Sequence, residues 1–248
     1  MFTMFPILIF EFQRLCRQKL MLAMFILLPF CFYLISIQTL PDDDVLKGLA
    51  FKQNYMISMA LYSAMSFVLI LFPQELAIER QLEWIKRFVN TRVSYHTYFL
   101  SKSLKTHSLS IIGASVLLVT GTLNGVSLSL QQWVGLFFII NLVLITLYPF
   151  AYLLSLIEDV SKVVALSNCL YFILAFLGGL WIPLDRFPNL LRMLSEWVPT
   201  THMRHVVIYY INHDAILWLS VLKLFIFSII MIILIIICRH KWRDDIDI

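Results

Sequence analysis

The sequence predicts an all-α membrane protein with six transmembrane helices, and three observations predict it. Apolar residues make up 60% of the chain and charged residues only 14%, too few charges to cover the surface of a water-soluble domain. The apolar residues gather into blocks of about 20, the length a helix needs to cross the hydrocarbon core. Lysine and arginine are shared unevenly between the segments that separate those blocks.

The spans read, in order, Leu20 to Leu40, Asn54 to Pro73, Ser108 to Gly125, Trp133 to Leu156, Val163 to Ile182 and Ile216 to Cys238, within a single domain covering 1–248. The first block is too long for the apolar core of a signal peptide, and no small-residue cleavage pattern follows it, so it is read as a retained span. With the N-terminus inside, thirteen of the 19 basic residues fall on inner segments: Arg14, Arg17, Lys19, Arg80, Lys86, Arg87, Arg92, Lys102, Lys105, Lys162, Arg239, Lys241 and Arg243. Five fall outside: Lys47, Lys52, Arg186, Arg192 and Arg204; Lys223 lies inside the sixth span near its outer end. This asymmetry places both termini in the cytoplasm, and the acidic run Asp42, Asp43, Asp44 lies on the outer side.

Three segments between or before the spans carry further information. In residues 5–19, Phe5, Leu8, Ile9, Phe12, Leu15 and Cys16 recur at helical spacing, with Glu11, Gln13, Arg14, Arg17 and Gln18 mostly between them. That pattern predicts an amphipathic helix in the inner interface rather than a plain basic flank. In the long inner loop, Leu82, Ile85, Phe88 and Val89 follow a helical period, and Glu83 and Arg87 stand four apart in the favourable acid-first order. A short charged helix is expected there. Trp84 and Phe88 would be costly to leave wet, which points to headgroup or protein contact rather than a solvated loop helix. The outer segment 183–212 is too apolar for an ordinary loop. Gly178 and Gly179 loosen the end of span five, while Pro183, Pro188 and Pro199 cut the chain into pieces. Short helices dipping back into the outer leaflet fit that pattern.

Motifs of other chemistries are scarce. The chain has no GxxxxGK[ST], HExxH or GxSxG, so nucleotide is not expected on this chain in the P-loop manner. Cys16, Cys31, Cys169 and Cys238 form no CxxC and read as small buried hydrophobes. His202, His205 and Glu196 are the nearest thing to a polar cluster. They would serve a membrane-embedded enzyme or a sensor subunit, the competing reading, but interfacial histidines explain them as well. The basic residues form no stripe with interleaved aromatics, so nucleic acid is not an expected partner. No Asp or Glu stands at the centre of a span, which argues against an ion-coupled carrier. Asn141, Asn168 and the Gly121/Gly125 pair read as helix packing.

Two patches at their places in a six-span chain resemble the permease subunits of ABC type 2 transporters, and the resemblance extends over essentially the whole sequence. Glu79 to Leu104 is similar to that family's Glu-Arg motif, short helix, turn, then Tyr and Lys leading into span three; here these are Glu79, Arg80, Thr91, Val93, Ser94, Tyr98 and Lys102. Arg92 stands where the family's turn has proline. Gly178, Gly179, Pro183, Pro188 and Pro199 resemble its pattern before span six. The resemblance implies a bacterial plasma-membrane exporter in which two permease chains, identical or homologous, form the pathway above two copies of a separate ATPase. ATP and Mg would bind that partner, leaving this chain without a cofactor. Glu79, Arg80, Leu82, Glu83, Trp84 and Arg87 would form the coupling helix that docks on the ATPase. The cargo expected is amphipathic: a drug, an antimicrobial peptide or a lipid-like molecule.

Overall fold

The computed structural model describes residue 11 and residues 19–39, 45–46, 49–82 and 95–244. Six of its helices are long and apolar enough to cross a membrane. In chain order the elements are α1 (Lys19–Thr39), β1 (Val45–Leu46), β2 (Leu49–Ala50), α2 (Phe51–Ser66), a π-helical turn (Phe67–Leu71), α3 (Phe72–Gln81), α4 (Tyr95–Leu123), α5 (Leu130–Ile145), α6 (Tyr148–Ser155), α7 (Val160–Leu177), a 3-10 turn (Leu184–Arg186), α8 (Asn189–Ser195), α9 (Pro199–His213) and α10 (Trp218–Asp244). The two-residue strands pair antiparallel in a chain that is otherwise of the expected all-α class.

Span two is the axis of the bundle. It runs unbroken from Phe51 to Gln81, and 94% of its apolar window is buried, against 11% in span one and 6% in span six. The sequence predicts an end to this span at Pro73. The helix instead passes through the proline because the preceding turn widens: the Phe72 N–H bonds the Phe67 carbonyl, five residues back, which accommodates a residue with no N–H to give.

Proline is accommodated differently in span one. Pro29 lies inside α1 and cannot donate to the Phe25 carbonyl. Ser63 of span two donates to that carbonyl instead, at 3.0 Å. Gly113 of span three makes room for this contact, since a Cβ there would sit 2.7 Å from the Ser63 Oγ. Gly121 likewise lets Met56 lie against span three. Its expected packing partner Gly125 instead ends the helix region, at φ +86. Asn141 and Asn168 each donate to the carbonyl four residues back on their own helix rather than across to another. Cys31 and Cys169 are exposed on their helices, which corrects the expectation of burial.

Span four is two helices. A break at Thr146 and Leu147 precedes Pro149 in the first turn of α6, and Ser228 of span six donates to the Thr146 carbonyl at 3.0 Å. α5 opens on a reciprocal cap between Ser129 and Gln132. The same Gln132 reaches the Ile211 carbonyl of α9.

Candidate coupling site and outer segment

The first site forms where the Gln81 end of span two meets the Tyr95 end of span three. α4 begins thirteen residues before the expected Ser108, so Lys102 and Lys105 belong to the helix and not to a loop. Both are buried. Lys102 Nζ lies 2.6 Å from Glu11 and 2.6 Å from Glu79, with Glu75 at 3.8 Å. Lys105 bonds Glu11 at 2.9 Å and also Glu75. The Tyr98 hydroxyl donates to the Glu79 carboxylate. Three carboxylates therefore enclose two ammonium groups, and each lysine has two carboxylates within bonding distance. Burial alone would raise the Glu11 carboxyl, but Lys102 and Lys105 hold it below the usual carboxylate range. Charges removed from water need such multiple pairing to offset their desolvation.

This knot revises several expectations. Glu79 and Arg80 close α3 at the tail of span two instead of opening a separate helix, and Leu82 follows as its C-cap. The Glu79 side chain faces inward, and Arg80 donates to the Ile157 carbonyl just past α6. Among the described coupling residues Glu79, Arg80 and Leu82, the last is an exposed apolar side chain, at 52%. Glu83, Trp84 and Arg87 lie outside the described residues, as do Thr91, Val93 and Ser94. The expected interfacial helix 5–19 also lies outside them, apart from residue 11 and the start of α1. Glu11, expected on the polar face of that helix, is buried in the knot. Glu79, Tyr98 and Lys102 of the sequence motif do come together. The sequence reading missed Glu11, Glu75 and Lys105. Their signal is spacing: Glu75 and Glu79 are four apart, Lys102 and Lys105 three apart, so each pair shares one helix face.

The second site is the segment between spans five and six. Gly178 caps α7, and Gly179 takes φ +72, a conformation that favours glycine. A Cβ on Gly178 would lie 2.2 Å from the Thr200 Oγ1, whose hydroxyl donates to the Leu174 carbonyl at 2.6 Å. The close approach of α9 to α7 thus requires a glycine. Pro183 precedes the 3-10 turn, Pro188 precedes α8, and Pro199 fills the first helical position of α9, where its missing N–H costs nothing. Trp181 packs on Tyr62 at 5.6 Å, and Tyr62 stacks on Tyr171 at 4.8 Å. These rings fasten the segment to spans two and five. α8 turns Leu190, Met193 and Leu194 outward, and Trp197 just beyond it is 85% exposed.

Arg204, expected on the outer surface, is buried at 1% exposure. Its Nε donates to Ser58 at 3.1 Å and its Nη2 to the Asn54 side-chain carbonyl. Burial draws its guanidinium down to about 10, which leaves it charged at neutral pH. His202 bonds the backbone carbonyl of Glu196 at 2.8 Å, and its ring lies 6.1 Å from that of His205. No group of three or more His, Cys, Asp and Glu suited to a metal occurs among the described residues.

Six apolar helices, one of them buried at the centre, with a charge knot at one end, define a multi-pass membrane protein. The family model for ABC-2 family transporter proteins matches residues 35–237, and the chain belongs to that family. It is also similar to a protein of Bacillus subtilis (strain 168) whose name, YvfS, designates a transport permease. The two are 23% identical over 237 residues, covering 93% of this chain and 94% of that one. The chain is accordingly an ABC transporter permease, and its family implies an ATPase partner.

Proposed function

We propose that this chain is the transmembrane half of an ATP-driven exporter in the bacterial plasma membrane, with both termini in the cytoplasm. It pairs with a second permease chain, identical or homologous, above two copies of a nucleotide-binding ATPase that carry ATP and Mg. Its cargo is an amphipathic drug, antimicrobial peptide or lipid-like molecule. The observation that carries the coupling mechanism is the charge knot. Leu82, Glu83, Trp84 and Arg87 supply the docking surface, while Glu79 and Arg80 anchor its root. Glu79 ties that root to Lys102 and Tyr98 of span three, and Arg80 ties it to the chain leaving α6. A displacement delivered by the closing ATPase then reaches spans two, three and four together, as a rigid-body motion. At the far end, Gly178, Gly179, Pro183, Pro188 and Pro199 shape a re-entrant lid in the outer leaflet.

The test is co-purification with the ATPase encoded beside this chain. Leu82→Asp and Trp84→Ala each lower its recovery, whereas Glu79→Gln retains the ATPase but lowers transport per ATP hydrolysed. If no ATPase co-purifies, or if the docking substitutions leave both recovery and transport intact, this reading is wrong.

A further inference from the structure

Arg204 is buried as deeply as the knot lysines but is not paired as they are. Its described partners, Ser58 and Asn54, are neutral, and its Nη1 has no hydrogen-bond partner among the described residues. Asp185 on the 3-10 turn acts on it from a distance and favours the charged guanidinium. That carboxylate is engaged at the surface by Arg192, at 3.1 Å. A desolvated cation is expensive within a membrane protein, and such groups commonly mark a substrate path. This same chain supplies two carboxylates to each buried lysine at its other end, so pairing was open to it here.

We propose that Arg204, with Asn54 and Ser58, binds the phosphate or carboxylate head of an anionic amphiphile. A guanidinium presents a planar fork of donors suited to either group, and Nη1 is the donor still free. Asn54 and Ser58 lie four apart on span two and hold the fork from one side. Ser58 keeps its own proton engaged, donating to the Asn54 backbone carbonyl at 3.0 Å, so its oxygen accepts from Arg204. The surroundings are apolar: Tyr62, one turn further along span two, is buried against the Tyr171 and Trp181 rings. The 3-10 turn that carries Asp185 acts on Arg204 electrostatically and follows Gly179 and Pro183; displacement of this short piece would give the ligand its access. This deepens the permease reading by naming a ligand class, but its binding assay needs no ATPase, so failure of one leaves the other standing.

The experiment uses the full chain in phosphatidylcholine nanodiscs, titrated with dodecyl phosphate, the neutral amphiphile dodecyl maltoside, and inorganic phosphate. Binding is read by tryptophan fluorescence and by native mass spectrometry. Wild type binds dodecyl phosphate more tightly than dodecyl maltoside, and Arg204→Gln weakens dodecyl phosphate on the order of tenfold while Arg204→Lys weakens it less. Asn54→Asp, nearly isosteric, places a carboxylate beside Arg204 and abolishes the preference while preserving the fold, so the proposal stays testable if Arg204→Gln does not fold. Saturation by inorganic phosphate at the same concentration as dodecyl phosphate assigns the site to the free anion and overturns the amphiphile. Equal binding of charged and neutral amphiphiles by wild type, or an unchanged preference in Asn54→Asp, reduces Arg204 to a structural pin and overturns the proposal.

Discussion

Span two buries charge at both ends, and it does so in opposite ways. At the Gln81 end, Glu75 and Glu79 meet Lys102 and Lys105 of span three and Glu11 from the start of the chain. At the other end, Asn54 and Ser58 meet a single cation, Arg204, and offer it only neutral oxygens. Carboxylates and ammonium groups that bond one another several times over resist separation, which suits a part that must transmit force. A cation with neutral partners is held in place yet keeps its charge available. In the proposed mechanism the same helix joins a mechanical end to a receptive one, with the π-helical turn Phe67–Leu71 between them.

Removing one cation from each end breaks the comparison open. Lys102→Met leaves Glu79 and Glu11 buried without their shared ammonium and should cost about 3–5 kcal/mol, read as a large fall in melting temperature by tryptophan fluorescence in detergent. Gly178→Val drives a side chain into Thr200 and should cost about 1–3 kcal/mol, loosening the receptive end without touching charge. Arg204→Met strands no carboxylate; it takes a donor from the buried Asn54 side-chain carbonyl but also removes the burden of a desolvated cation, so its net cost should be about 1 kcal/mol, below that of Lys102→Met at equal burial. Equal losses for the two cation substitutions would erase the distinction between the ends.

The smallest expected effect is a pH dependence. The folded value of the Glu11 carboxyl lies below its ordinary one, so its stabilisation is complete above about 4.3 and fades as pH falls through the lowered value. The melting-temperature gap between wild type and Glu11→Gln should hold steady above that range and narrow below it.

The spans were legible because each is an apolar block of bilayer length, and their ends were less so. Pro73 reads as a stop, yet a single widened turn carries the helix past it; local sequence does not announce such a turn. Stopping there hid the place of Glu75 and Glu79 on span two, as starting span three at Ser108 hid that of Lys102 and Lys105. Their like-charge spacings on the two helices could have exposed the knot, since such pairs make sense only when they face each other. Gly178, Gly179 and the three prolines were legible because each backbone role is nearly exclusive to its residue type. Arg204 was not, since charge counting puts an arginine between spans on the surface, and only tertiary packing shows it turned onto Asn54 and Ser58.

The claim that the knot fuses spans two and three into one force-bearing unit is tested most directly by a distance. Spin labels at Gln81 and Leu100, both exposed, go into a cysteine-free chain assembled with its ATPase, with hydrolysis measured in the same sample. The distance should be the same with and without ATP, and Glu79→Gln should broaden it. A wild-type distance that changes with nucleotide, or one that Glu79→Gln leaves equally narrow, would contradict the claim.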